Sequence, residues 1–339
     1  IRRSVMMLVL GQLVIAAVVS AQGAGSTAPT PTAPPVAAPP PTPAATPPFA
    51  PATTPPPSPV PGVRSKVSAG DLWSAESILE VHRSRHGEDG PWLVGYAWLA
   101  RGALLLGHDE KADRYAAAVH ALCAERIAKG ADLAKDNELT YALGAVIEVV
   151  AQRLQRQKGK AAAIRYVHGE MERWGGPVWF RSRLQKRINM MDMEGARAPE
   201  WVVEESVGGT VPTLASLSGK PVVLYVWDKG CGDCSAQSGT LSKVYKRYRD
   251  DVHLVTLTRH YDEGAQRATE LARVDSVWKA SYADIGAAPI IVSDASMVRY
   301  GGSSTPTFVF IDRKGIVRRY TPTRLTEDEL DRTISDLLR

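Results

Sequence analysis

The chain has 339 residues, 44% of them hydrophobic and 23% charged, with a formal net charge of +5. That length allows two modest globular domains besides tails, and so mild a positive excess suits solubility and does not point to nucleic acid. No basic run is interleaved with aromatics, and three cysteines are too few for a disulfide-stapled miniprotein.

Residues 1–21 predict an export signal. Arg2 and Arg3 precede an apolar stretch over 5–19 that is short for a membrane span, and Val19 and Ala21 suit cleavage before Gln22. The expected location is the periplasm or another extracytoplasmic space of a bacterium. Membrane contact is expected only if this segment stays uncleaved, and no cysteine follows it to carry a lipid.

Residues 22–65 predict a disordered linker. Sixteen of the 24 prolines fall between Pro29 and Pro61, among Ala, Thr, Ser and Gly, and no charged residue occurs between Arg3 and Arg64. Such a segment cannot bury a core and should be an extended, partly polyproline-like tether.

Residues 66–195 predict an all-α domain. Ser68 and Asp71 suit the start of a helix through Trp73, Ile78 and Val81, and Pro91 suits the first turn of a helix to 106. Further helices are expected over 110–128, 137–157, 161–174 and 178–191 from apolar residues at helical spacing. The turn at Gly107-His108-Asp109 followed by Tyr115 and Ala116 resembles the middle of a tetratricopeptide unit, and Lys158-Gly159-Lys160 with Tyr166 is a fainter echo. The two turns are further apart than the ~34 residues of that repeat, so either a degenerate helical-hairpin array or a plain bundle fits. Stacked hairpins suit protein contacts, so a protein partner on this domain is a candidate. Cys123 lies on an apolar helix face and reads as a buried, inert thiol. His82 and His86 share an i, i+4 face without a third ligand, which favours a solvated face over a metal site.

Residues 196–339 predict an α/β domain with a mixed central sheet flanked by helices. A buried strand over 222–227 runs into Asp228-Lys229-Gly230 and then Cys231-Gly232-Asp233-Cys234, where a helix begins. Strands are expected over 253–257, 290–292, 308–311 and 316–320. A helical insert is expected over 264–282, a hairpin turn at 312–315, and a closing helix from Thr326 to 338. A cysteine at a helix N-terminus faces unsatisfied backbone N–H groups and the positive end of the helix dipole, both of which favour thiolate over thiol. The two-residue gap puts the second sulfur within reach. Cys231 is therefore the expected attacking thiol and Cys234 the resolving one, with Cys231–Cys234 as the redox-active disulfide.

This part of the chain resembles the thioredoxin superfamily, specifically its exported TlpA-like branch. The resemblance rests on the lead-in Leu217-Ser218-Gly219-Lys220-Pro221, the strand ending in Trp227, the Cys231/Cys234 pair, Thr305-Pro306, and the hairpin from Asp312 to Val317. It implies a thiol–disulfide oxidoreductase that needs no cofactor and acts on protein thiols and disulfides with an electron donor or acceptor of the envelope. It also implies that Pro306 is cis and faces the dithiol, that Thr305 offers backbone to a substrate strand, and that Trp227 and Gly230 border the substrate. Four departures stand out. Gly230 replaces the usual Trp before the first cysteine and widens the approach to Cys231. Asp233 replaces a common Pro, and an acid within the motif opposes thiolate formation, so Gly232 and Asp233 are read as modulating residues. Gly239 stands where a helix-kinking proline is usual. Tyr225 takes the place of the buried Asp that serves many thioredoxins as proton acceptor, which leaves the proton relay unassigned.

Three other readings compete. Half of a zinc site lacks a second ligand pair nearby, and copper delivery has only His260 to offer. A thiol peroxidase would carry Thr or Ser three residues before its cysteine, where Asp228 stands. An envelope scaffold would make the helical domain the main interaction surface and the redox domain secondary.

Overall fold

The computed structural model describes residues 57–262, 264–286 and 288–339. The expected export signal and residues 22–56 of the expected linker lie outside them. The linker was expected to run to residue 65, but helix α1 (Val60–Ser68) already begins at Val60. Pro59 precedes it and Pro61 falls in its first turn, where a missing N–H leaves no hydrogen bond unmade. Val63 and Val67, four apart, are buried. Proline-rich composition masked a helix start.

Six more helices follow: α2 (Leu72–His86), α3 (Gly90–Leu105), α4 (Asp109–Ala128), α5 (Asn137–Lys158), α6 (Lys160–Trp174) and α7 (Val178–Asp192). Asp71, Asp89 and Asp136 cap α2, α3 and α5 by accepting the N–H groups of Ser74, Trp92 and Leu139. Each such cap is worth about 1 kcal/mol. The odd-numbered helices pack side by side in the order α1, α3, α5, α7. Each even-numbered helix packs against the odd helices before and after it. The domain is thus an array of helical hairpins. Leu93, Leu139, Leu143, Ile147 and Leu184 are fully buried between the layers, each contributing roughly 1.5–3 kcal/mol. Cys123 is enclosed in the same core, and burial pushes its thiol up to about 12.

His82 corrects an expectation. It is 6% exposed and its Nε2 lies 3.0 Å from both carboxylate oxygens of Asp89. It therefore ties α2 to the start of α3 and is not part of a solvated face.

The C-terminal domain is built on a six-stranded mixed sheet in the order β1-β4-β3-β2-β5-β6. Its strands are β1 (Glu205–Val207), β2 (Val222–Val226), β3 (His253–Thr258), β4 (Ile290–Val292), β5 (Thr307–Ile311) and β6 (Val317–Thr321). Strands β2, β3 and β4 are parallel, while β5, β6 and β1 are antiparallel to their neighbours. Every residue of β2 and β5 is buried, as central strands covered on both faces require. Helices α8 (Gly232–Tyr248), α9 (Arg267–Ser281) and α11 (Glu327–Leu338) contribute to one core. The short α10 (Asp294–Arg299) lies with the opposite face. Thr326 caps α11 in a full capping box with Glu329. β1 and α10, three and six residues long, were not among the expected elements.

The two domains join through α7. Its side packs against α10, and the segment after it runs along β6: Gly195 N–H donates to Val317 O at 2.8 Å and Ala198 N–H to Gly315 O at 2.8 Å. At the contact, Gly301 has φ +64°, and a Cβ there would lie 2.6 Å from Cα of Lys186. Only glycine allows that approach.

Candidate active site

Strand β2 ends at Val226, and the chain turns through Trp227 to Gly230 into α8. Cys231 is the N-cap of α8. Its Sγ accepts the N–H of Cys234 at 3.0 Å and donates to Thr305 O at 3.3 Å. The helix is thus capped by sulfur where serine or aspartate usually serves, and any negative charge on that sulfur meets a backbone N–H and the helix dipole. The Thr305-Pro306 bond is cis, and Thr305 O faces the sulfur. Both cysteines are free thiols here. Cys231 is partly exposed and Cys234 is 1% exposed. Burial and the hydrogen bond with Cys231 push the Cys234 thiol up to about 12.

The structure brings Cys231, Cys234, Thr305 and Pro306 together. Gly230, Gly232 and Asp233 are exposed beside them. A Cβ at Gly230 would meet only the Asp228 carboxylate, at 3.8 Å, so the approach to Cys231 is open there. Asp233 lies 3.7 Å from Arg324; both are exposed, so the pair is screened by water and salt. Trp227 is the exception. It is 1% exposed, with its ring 5.4 Å from that of Trp278 and 5.6 Å from that of Tyr282. It continues the face of Val223 and Tyr225 into the core covered by α8, α9 and α11 and is enclosed in the floor beneath the dithiol, not on the open side where a substrate-bordering residue was expected.

Tyr225, in the place of the missing acid, shares a 2.9 Å hydrogen bond with Tyr282, whose hydroxyl donates to Cys234 O at 3.0 Å. Burial pushes both phenols up. Neither takes a proton at neutral pH, so they hold α8 onto the sheet and do not act as bases.

A buried ionic cluster was not foreseen. Glu270 on α9 is 1% exposed. One of its oxygens accepts from Lys229 Nζ at 2.5 Å, from Tyr261 N–H at 2.7 Å and from Asp262 N–H at 3.1 Å. The other lies 2.9 Å from His260 Nδ1, and His260 Nε2 meets Glu205 of β1. Burial opposes the Glu270 charge, but Lys229, the two N–H groups and His260 outweigh it and bring the carboxyl down to about 2. The cluster fixes Lys229, two residues before Cys231, to the loop after β3. Both ring nitrogens of His260 are engaged in it, which leaves none for a metal. The sequence offered no signal, because Glu270 lies between Arg267 and Arg273 in the helical insert and its partners are distant in the chain.

A β2–dithiol–α8 unit with a cis proline opposite, on a sheet of this order, defines a thioredoxin-like fold. The C-terminal part of the chain carries a thioredoxin-like domain: residues 212–337 match the family model for it. The chain is similar to the thioredoxin-like protein YneN of Bacillus subtilis, 20% identical over 142 residues, which cover 42% of this chain and 78% of that one. Among solved structures it is similar to a thiol:disulfide interchange protein of the thioredoxin family from Chlorobium tepidum, at 20% identity and a TM-score of 0.36 over 44% of this chain and 99% of that one. It is likewise similar to the exposed lipoprotein thioredoxin of Streptococcus pneumoniae, at 23% identity and a TM-score of 0.34 over 41% and 99%.

Proposed function

We propose that this protein is an exported, TlpA-like thiol–disulfide oxidoreductase that exchanges disulfides with protein substrates through Cys231 and Cys234. The observation that carries the reading is Cys231 Sγ at the α8 N-terminus, partly exposed, with the Cys234 N–H 3.0 Å away and Thr305 O 3.3 Å away. In the reducing direction, the Cys231 thiolate attacks one sulfur of a substrate disulfide and expels the other as a thiolate. Cys234 then loses its proton to solvent and attacks Cys231 Sγ, breaking that sulfur's bond to the substrate, whose second sulfur leaves as a thiolate. The Cys231–Cys234 disulfide forms, and the substrate leaves with two electrons and both sulfurs reduced. The buried Cys234, held up to about 12, stays a thiol until the mixed disulfide forms, which keeps the two roles distinct. The backbone at Thr305 is open to pair with a substrate strand once Cys231 turns to the substrate. Export rests on the sequence of residues 1–21.

The test is insulin reduction driven by dithiothreitol. Wild type should accelerate it and Cys231→Ser should fall to the uncatalysed rate. Equal rates for the two proteins would overturn the proposal.

A further inference from the structure

A cleft of about 600 Å³ opens where the odd-helix face of the array meets the segment leading to Thr305. Arg101 of α3 and Arg183, Lys186 and Arg187 of α7 line it, with Ser303 and Ser304 on the other wall. The one carboxylate in its lining, Glu148, already holds Arg183 at 2.7 Å. Among the described residues, Arg101, Lys186 and Arg187 have no carboxylate within 4.0 Å. Three cations thus share one concave wall whose single carboxylate, Glu148, is already paired with Arg183, so positive charge is in excess there.

We infer that this cleft is a subsite for an acidic segment of the protein substrate, holding it beside the dithiol; the inference rests on the proposed exchange reaction. Lys186 Nζ donates to Ser304 Oγ at 2.8 Å. Ser304 precedes Thr305, whose carbonyl meets Cys231 Sγ, and consecutive Cα atoms are about 3.8 Å apart. A chain lying in the cleft therefore reaches the dithiol within a few residues. Nε of Arg187 and Oγ of Ser303 are buried there without hydrogen-bond partners. Burial lowers the pKa of both Lys186 and Arg187, a cost that an incoming carboxylate would relieve. Trp179 and Met190, the latter 51% exposed, add apolar surface beside the charges. An extended polypeptide with spaced acids suits this mixture. The chain's own N-terminal segment does not, because its first acidic residue is Asp71.

Binding is measured on the full chain carrying Cys231→Ser and Cys234→Ser, so that it stands apart from exchange. The probes are a labelled peptide alternating glutamate and serine, and the same peptide with glutamine for glutamate. The glutamate peptide should bind about tenfold tighter, with the difference shrinking as salt rises. Arg101→Gln and Lys186→Gln, made separately so that one misfolded variant does not decide the matter, should each remove most of it. Equal binding of the two peptides, unchanged preference in both variants, or tighter binding of a single-stranded oligonucleotide would overturn the inference. Failure of the wild-type chain to accelerate insulin reduction, with the peptide preference intact, would count against the exchange reading alone.

Discussion

Replacing Glu270 with glutamine tests how the fold holds the segment before Cys231. The amide keeps the shape, and its oxygen can still accept the N–H groups of Tyr261 and Asp262, while its NH2 faces His260 Nδ1. What disappears is the charge facing Lys229, whose side chain is 15% exposed against 1% for Glu270. The Glu270 carboxyl is brought from an ordinary 4.5 down to about 2. At about 1.4 kcal/mol per pH unit, the ionised form favours folding by roughly 3 kcal/mol. That agrees with the 3–5 kcal/mol typical of removing one partner from a buried pair.

The sign follows from the depressed value. The contribution is complete above about pH 4.5 and is lost as pH falls toward about 2. Urea unfolding followed by tryptophan fluorescence reads this directly, since Trp227 and Trp278 lie in the same core. Glu270→Gln should cost about 3 kcal/mol at pH 7 and should lose less stability than wild type between pH 5 and 3. Adding Lys229→Met should restore part of the loss, because the lone buried ammonium goes too. A cost below about 1 kcal/mol at pH 7, or identical acid limbs for the two proteins, would refute the argument.

Iodoacetamide at neutral pH should label the reduced native chain once, at Cys231, as counted by mass spectrometry. Cys123 and Cys234 are buried with thiols up at about 12, so prompt labelling of either would contradict the packing. Gly301→Ala should destabilise the chain by more than about 2 kcal/mol, because it adds a Cβ 2.6 Å from the Lys186 backbone at φ +64°; an unchanged melting temperature would show that the contact yields. Gly230→Trp should leave stability within about 0.5 kcal/mol, since the site is open, while lowering the rate on bulky protein disulfides more than on a short disulfide peptide. Equal effects on both substrates would remove Gly230 from the approach path.

The long helices and central strands were legible because their signals are local. The helix of residues 137–158 shows an apolar stripe, and the buried strand before the dithiol is a continuous apolar run. Cys231 and Cys234 were legible because strand, dithiol and helix follow one another in the chain. Glu270 was not, since its partners at 229 and 260–262 come from two other segments, with Glu205 of a third behind His260. Trp227 was misjudged for the same reason: its strand position was plain, but which layer it faced depended on α9, whose Trp278 packs on it. β1 was not legible because, unlike the equally short but wholly apolar β4, it carries one apolar residue, Val207, and α10 spans six residues, too few to show a period.

The segment from Gly301 to Thr307 links the two domains physically. Gly301 abuts the α7 backbone, Ser304 takes the Lys186 ammonium, Thr307 Oγ1 donates to Ser304 O at 2.6 Å, and Thr305 O receives the Cys231 thiol. Helix α7 therefore contacts both α10 and the segment that carries the acceptor opposite the reactive sulfur. The basic cleft of the helical array opens onto two residues of this segment, Ser303 and Ser304, directly before Thr305.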